Sequence, residues 1–225
     1  MNETAARALI CEVGQKLWQQ GWVAANDGNI SVKLAADRFL ATPTGVSKSL
    51  LTPEMLLLVD ATGQPCAGSV GHPSSEIKMH MKCYELREDV GAVVHAHPPA
   101  ATGFAVAGLP LDGYNMIETV VTLGSVPLTP YGTPSTEEVP AAIAPFLADH
   151  DALLLENHGA LTVGADLMTA YYRMETLELW AKISLNARLL GGAKELSREN
   201  IDKLLVLRKH YYKVSGRHPG YKKYT

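Results

Sequence analysis

Cysteine is scarce in this chain, with only Cys11, Cys66 and Cys83 among 225 residues. An odd number at unrelated spacings makes no disulfide framework, so they read as reduced thiols of a cytoplasmic protein. None lies in a motif that marks a nucleophile. Basic charge is not in excess either. The formal net charge is −3, which argues against a general nucleic-acid binder. No apolar run is long enough to span a bilayer. The opening residues, Met1-Asn2-Glu3-Thr4, lack a basic region leading into an apolar stretch, so no signal peptide is expected. No internal repeat, linker or low-complexity segment is visible.

What the chain does have is apolar material. Hydrophobic residues make up 47% and charged residues 19%, enough to bury a sizeable core, and residues 1–225 are expected to form a single domain. Ala6, Ile10, Val13 and Leu17 form one stripe of a helix over residues 2–20, stopped by Gly21. Two polar, Gly-containing breaks follow, Asn26-Asp27-Gly28-Asn29 and Thr42-Pro43-Thr44-Gly45. Such loops expose hydroxyls, amides and backbone N–H groups, the material of an anion cradle, although turns are made of the same residues. Leu56 to Asp60 reads as a buried strand. Ser74 and Ser75 then precede a helix from Ile77, a capping signal and a ready phosphate site. Glu76 falls in its first turn, where the helix dipole favours a carboxylate; a carboxylate aimed at a metal fits as well.

Gly91-Ala92-Val93-Val94-His95-Ala96-His97 is an apolar strand ending in two histidines. Strand period two puts both imidazoles on one face. That arrangement begins a zinc site, which takes imidazole nitrogens at ~2.0–2.1 Å and keeps a position open for catalysis. Alone, the pair is equally compatible with ordinary core histidines. A third imidazole, His158, ends another apolar strand, Ala152 to Leu155, just before Gly159. Between these strands the spacing predicts a short helix from Pro98 to Val106, an edge strand over Ser125–Leu128, and a helix capped by Thr136 running to about Ala148. Asp166 opens a long helix ended by Gly191-Gly192, and Ser197 opens the last. The segment from 208 to 225 is basic and aromatic.

Six motifs fall in one order: Gly28-Asn29-Ile30-Ser31, Thr42-Pro43-Thr44-Gly45, Pro73-Ser74-Ser75-Glu76, Ala92-Val93-Val94-His95-Ala96-His97, Pro130-Tyr131-Gly132-Thr133 and Asn157-His158-Gly159. In this the chain resembles the class II aldolase/adducin family, and within it the L-fuculose-1-phosphate aldolases. The resemblance implies a three-layer α/β/α fold with a central, largely antiparallel sheet. It implies a homotetramer with active sites at subunit interfaces. It implies one Zn²⁺ per subunit on His95, His97 and His158, with Glu76 as catalytic carboxylate and fourth metal position. Gly28, Asn29, Thr44, Gly45, Ser74 and Ser75 match the family's phosphate pocket. The implied reaction is reversible cleavage of a ketose 1-phosphate to dihydroxyacetone phosphate and an aldehyde.

At the position of the tyrosine that this pattern supplies from a neighbouring subunit as proton donor, the chain has Asn115. Either Tyr114 takes the role after a local shift, or the donor is absent. Tyr211 falls on the family's C-terminal active-site tyrosine, and residues 208–225 are expected to form a mobile cover over an anionic substrate. Other branches of the family stand as alternatives: an aldolase for 5-deoxyribulose 1-phosphate, a sugar-phosphate 4-epimerase, or a phosphotetronate decarboxylase. Epimerases carry Asp in place of Glu76, and decarboxylases tend to carry Lys in place of Ser75. The non-enzymatic adducin head lacks the three histidines.

Overall fold

The apolar stripe near the start of the chain forms helix α1, Glu3–Gln19, whose buried residues include Ala6, Ile10, Val13 and Leu17. The structure, a computed structural model, describes residues 2–224. Met1 and Thr225, the ends of the expected domain and tail, lie outside the described residues. Strands β1 (Asn29–Ala35), β2 (Arg38–Ala41) and β3 (Leu57–Val59) follow, then helix α2 (Ile77–Leu86), strand β4 (Ala92–Ala96) and helices α3 (Pro99–Val106) and α4 (Ile117–Thr122). The second half holds β5 (Leu128–Thr129), α5 (Glu138–Ile143), β6 (Ala152–Leu155), β7 (Gly159–Gly164), α6 (Leu167–Leu189) and α7 (Arg198–Leu207).

The strands make one seven-stranded mixed sheet in the order β3-β2-β1-β4-β7-β6-β5. Its pairings are antiparallel except for β5 with β6, which is parallel. Strand β4 is therefore central, hydrogen-bonded on both sides, and its five residues are all buried. Its alternation splits the core in two. Ala92, Val94 and Ala96 face the cluster built by α1, α3 and α6; Val93 faces the cluster built by α2 and α5. Each fully buried Leu or Ile contributes about 1.5–3 kcal/mol, so the two clusters supply most of the driving force for this architecture.

Three local expectations need correction. The helix after Ser74 and Ser75 is capped by neither serine: its N-cap is Glu76, and Ser74 Oγ accepts from the Glu76 N–H instead. The helix expected from Thr136 to about Ala148 is only six residues long. Beyond it the chain tightens into a 3₁₀ turn, Ala144–Phe146, where Pro145 has no N–H to continue the α ladder. The edge strand is Leu128–Thr129, and Val126 instead bridges to Leu111.

After α7 the chain takes a π-helical turn, Arg208–Tyr212, and then runs back over the body. Arg208 donates to the Val121 carbonyl at 3.0 Å and His218 to the Val120 carbonyl at 2.7 Å. The Tyr224 N–H reaches Asp112, and its hydroxyl meets His150. No helix among the described residues is long and apolar enough to cross a membrane.

Candidate active site

The site grows out of the β1–β4 register. Asn29 pairs with His95 and Ser31 with Val93, so Asn29, Ser31 and His95 project on the side of α2. His95 is fully buried. His97 lies just past the strand, its N–H held by the Trp22 carbonyl. His158 arrives from the β6–β7 turn, where Asn157 adopts a left-handed φ of 55°, a conformation asparagine tolerates. A Cβ on Gly159 would come within 2.6 Å of the His97 ring and 2.7 Å of the Ala96 carbonyl, so only glycine lets the two elements close. A Cβ on Gly28, at φ 71°, would stand 2.6 Å from the Val23 side chain and 2.9 Å from the His95 carbonyl.

Together these turns converge the imidazoles. One nitrogen from each of His95, His97 and His158 lies within 4.8 Å of the others. His95 Nε2 and His97 Nε2 are 3.2 Å apart. The tautomer of His95 is fixed, because its Nδ1–H donates to the Ala160 carbonyl at 2.9 Å and leaves the Nε2 lone pair free. Asp27 Oδ2 stands 3.5 Å behind His97 Nδ1. Glu76 closes the fourth side. Its Oε2 is 3.4 Å from His95 Nε2 and its Oε1 is 3.1 Å from His158 Nε2. Oε1 is buried and has no hydrogen bond. Three imidazole lone pairs facing an orphaned, buried carboxylate oxygen are the donor set of a divalent cation, and the residues present fit one.

Electrostatics point the same way. Burial pushes the Glu76 carboxyl up, but His95, His158 and the Asn29 amide outweigh it and hold the group well below the usual carboxylate range. Burial depresses His95 to about 3, opposed by Glu76. Burial and the neighbouring His158 also depress His97. At neutral pH these groups present a carboxylate and neutral imidazoles, the protonation state that a metal needs.

Gly28, Asn29, Thr44, Gly45, Ser74 and Ser75 line one cleft with Glu76, His97 and His158. An isolated bridge between Pro43 and Pro73 sets two of the loops side by side. The cleft thus combines amides, hydroxyls and the N-terminus of α2, a setting suited to an anion. Tyr114 is not brought here. It is fully buried under the C-terminal segment, its hydroxyl donating towards the Gly220 and Lys222 carbonyls and accepting the Lys222 N–H. Asn115 accepts a hydrogen bond from Trp180 Nε1. Tyr211 is 74% exposed on the π-turn, apart from the cleft of its own chain. The segment expected to be a mobile cover is fastened at its end by these contacts.

Two residues went unread in the sequence. His80 stands beneath Asn29, and its position four after Glu76 was the available signal. Lys48 is buried and donates to the Asn26 and Val46 carbonyls, joining two of the loops.

The model of the class II aldolase and adducin N-terminal domain matches residues 8–185. A 3-oxo-tetronate 4-phosphate decarboxylase of Escherichia coli (strain CFT073) is 34% identical over 187 residues, 80% of this chain and 86% of its own. An L-fuculose phosphate aldolase of the same strain is 31% identical over 185 residues, 82% of this chain and 85% of its own. The solved structure of an L-fuculose 1-phosphate aldolase superposes with a TM-score of 0.85 at 27% identity, covering 93% of this chain and 98% of that one. A family match over residues 8–185 and relatives at 34% and 31% identity over most of both chains show that the chain belongs to the class II aldolase and adducin N-terminal domain family.

Proposed function

We propose that this chain is a zinc-dependent lyase that cleaves a ketose 1-phosphate, L-fuculose 1-phosphate or a close analogue, into dihydroxyacetone phosphate and an aldehyde. The observation that carries the reading is the Glu76 carboxylate facing three convergent imidazoles at the inner end of a hydroxyl- and amide-lined cleft. The family match and the aldolase relatives support it.

A divalent cation on His95, His97 and His158 supplies Lewis-acid stabilisation of negative charge on the substrate's oxygens. Asn29, Thr44, Gly45, Ser74 and Ser75 hold the phosphate, so that binding energy remote from the reacting carbons orients them. Cleavage breaks the C3–C4 bond. The ionised Glu76 takes the proton of the C4 hydroxyl as C4 becomes the aldehyde, and the bonding pair moves towards the C2 ketone. Glu76 then delivers a proton to C3; in condensation it removes that proton.

A second reading is favoured by the decarboxylase relatives. A 3-oxo acid that loses CO₂ leaves its electron pair on a carbon beside the same ketone, and Glu76 passes that carbon a proton drawn from water. Ser75 at the cleft supports the aldolase reading, since the decarboxylase pattern tends to carry lysine there. We also assign residues 1–225 to one domain of a homotetramer, with Tyr211 reaching a neighbouring subunit's site. The deciding experiment incubates the protein with L-fuculose 1-phosphate, 5-deoxyribulose 1-phosphate and 3-oxo-tetronate 4-phosphate, reading aldehyde and CO₂ separately. Aldehyde formation without CO₂ supports the aldolase; turnover of the oxo acid alone replaces it with the decarboxylase.

A further inference from the structure

Behind Glu76 a chain of polar groups runs past Asn29 to His80, Ser31 and Tyr84, three residues that the reaction as described does not use. Asn29 donates from Nδ2 to Glu76 Oε2 at 2.8 Å and to Ser74 Oγ at 3.0 Å. Its Oδ1 is 2.5 Å from His80 Nε2. His80 Nδ1 is 2.7 Å from Ser31 Oγ, and Ser31 Oγ is 2.8 Å from the Tyr84 hydroxyl. Asn29, Ser31 and His80 are each at most 3% exposed, so water does not substitute for any of these partners.

The chemistry of the partners places every proton. An ionised carboxylate only accepts, so the amide nitrogen of Asn29 must face Glu76. The amide oxygen must then face His80, and His80 must donate from Nε2. A neutral imidazole protonated at Nε2 accepts at Nδ1, so the Ser31 hydroxyl donates to it and accepts in turn from Tyr84. Burial keeps His80 neutral, with its pKa lowered to about 4. The chain therefore runs in one direction, from Tyr84 to Glu76. Turning the Asn29 amide over would set its oxygen against the carboxylate and its N–H₂ against the Nε2 proton. His80 makes that orientation the costly one.

We propose that His80 is a positioning residue of the active site: through the Asn29 amide it holds Glu76 Oε2 in place and leaves Oε1 free to take and return the substrate proton. The same amide ties the base to Ser74, and so to the phosphate side of the cleft. The proposal rests on the reading of Glu76 as the base, and its test separates the two.

Two polar replacements distinguish positioning from packing. His80→Gln keeps a donor near the place of Nε2; His80→Asn keeps a group beside Ser31 and loses the reach to Asn29. The full-length protein is assayed for deuterium exchange into dihydroxyacetone phosphate, for affinity for that molecule, and for metal content and inorganic phosphate binding. His80→Asn is expected to slow exchange about 10–100-fold at unchanged affinity for dihydroxyacetone phosphate, because Glu76 is no longer held in place. Metal content should stay unchanged, and His80→Gln should recover most of the rate. Equal losses in both variants, or no loss in either, overturn the proposal. Nitrogen-15 spectra of the wild-type histidine rings give a readout independent of turnover. His80 should be neutral and protonated at Nε2 from pH 5 to 8, and a proton on Nδ1 overturns the proposal whatever the activity. If the wild type exchanges no deuterium, the reading of Glu76 fails while the ring spectra still decide the orientation of the chain.

Discussion

Asn29 and His95 sit opposite each other in the β1–β4 register, and both reach Glu76, Asn29 at 2.8 Å and His95 at 3.4 Å. One pair of neighbouring backbone positions thus supplies the group that orients the carboxylate and one of the groups facing the metal position. A one-residue slip of β1 against β4 would turn Asn29 to the other face of the sheet, away from His95 and Glu76.

Loss of one imidazole should empty the metal position. His158→Ala leaves two imidazoles and Glu76, and its side chain is only partly buried, so the fold should survive. Elemental analysis should find about one divalent ion, zinc, per wild-type chain and far less in the variant, with unchanged circular dichroism. A wild-type protein that binds no stoichiometric metal, even after reconstitution with zinc, removes the three histidines from this role.

Glu76→Gln keeps the size of the side chain and its contact with Asn29 but cannot take up a proton. Turnover should fall by ~10²–10⁴. Affinity for dihydroxyacetone phosphate should change little, and solvent deuterium should no longer enter that molecule. Exchange at the wild-type rate in this variant would assign the proton transfer to another group.

Gly159→Ala tests how tightly the turns close. The added methyl would stand 2.6 Å from the His97 ring and 2.7 Å from the Ala96 carbonyl, and the carbonyl is central backbone. The His97 ring must therefore move. A destabilisation of about 1–3 kcal/mol by denaturant is expected, with weakened metal affinity measured by competition against a chelator. Unchanged stability and metal affinity would show that the turn relaxes without cost.

Much of this site was legible in the sequence because strand periodicity carries it. His95 and His97 are two residues apart on an apolar run, and His158 ends another run, so local pattern suffices. His80 was hidden because a histidine within the amphipathic helix Ile77–Leu86 reads as an ordinary core residue until Asn29, 51 positions away, is set against it. The parallel pairing of Leu128–Thr129 with Leu154–Leu155 depends on a connection through α5, which a two-residue strand does not announce. The surroundings of Tyr114 are set by residues 106 and 108 positions later, and no local period reports such a contact.

Lys48 gives a dependence on pH. Burial lowers its pKa to about 8, opposed by the nearby Asp27. The unfolded chain has the ordinary, higher lysine value and binds more protons between the two. Stability should therefore rise with pH from about 8 towards 10.5 on account of this group, and its contribution should be flat below 8. Lys48→Met removes the term, so the difference between wild type and variant isolates it from other groups. Denaturant unfolding at pH 7 and pH 10 should show the wild type gaining up to roughly 3 kcal/mol relative to the variant. A constant difference would mean that the ammonium is well solvated where it lies.

The two tyrosines assigned to catalysis should separate in their effects. The Tyr114 hydroxyl is buried and shared among the Gly220 and Lys222 carbonyls and the Lys222 N–H. Tyr114→Phe removes one partner and leaves buried backbone groups unpaired, which costs about 1–3 kcal/mol. Its first effect should be looser attachment of residues 218–224, seen as faster amide hydrogen exchange there. Tyr211 is exposed, stacked edge-on against Tyr212 with ring centroids 5.1 Å apart. Tyr211→Phe should leave stability within about 0.5 kcal/mol, as for an exposed position. If Tyr211 reaches the site of a neighbouring subunit, the same change should still reduce turnover of the best substrate, and Tyr212→Phe should not. Mixing catalytically dead Glu76→Gln chains with Tyr211→Phe chains then provides the decisive arm. A site that borrows Tyr211 from its neighbour regains activity in mixed oligomers, because some sites combine an intact Glu76 with an intact Tyr211. Mixed oligomers no more active than the sum of the separate proteins would place Tyr211 outside the site.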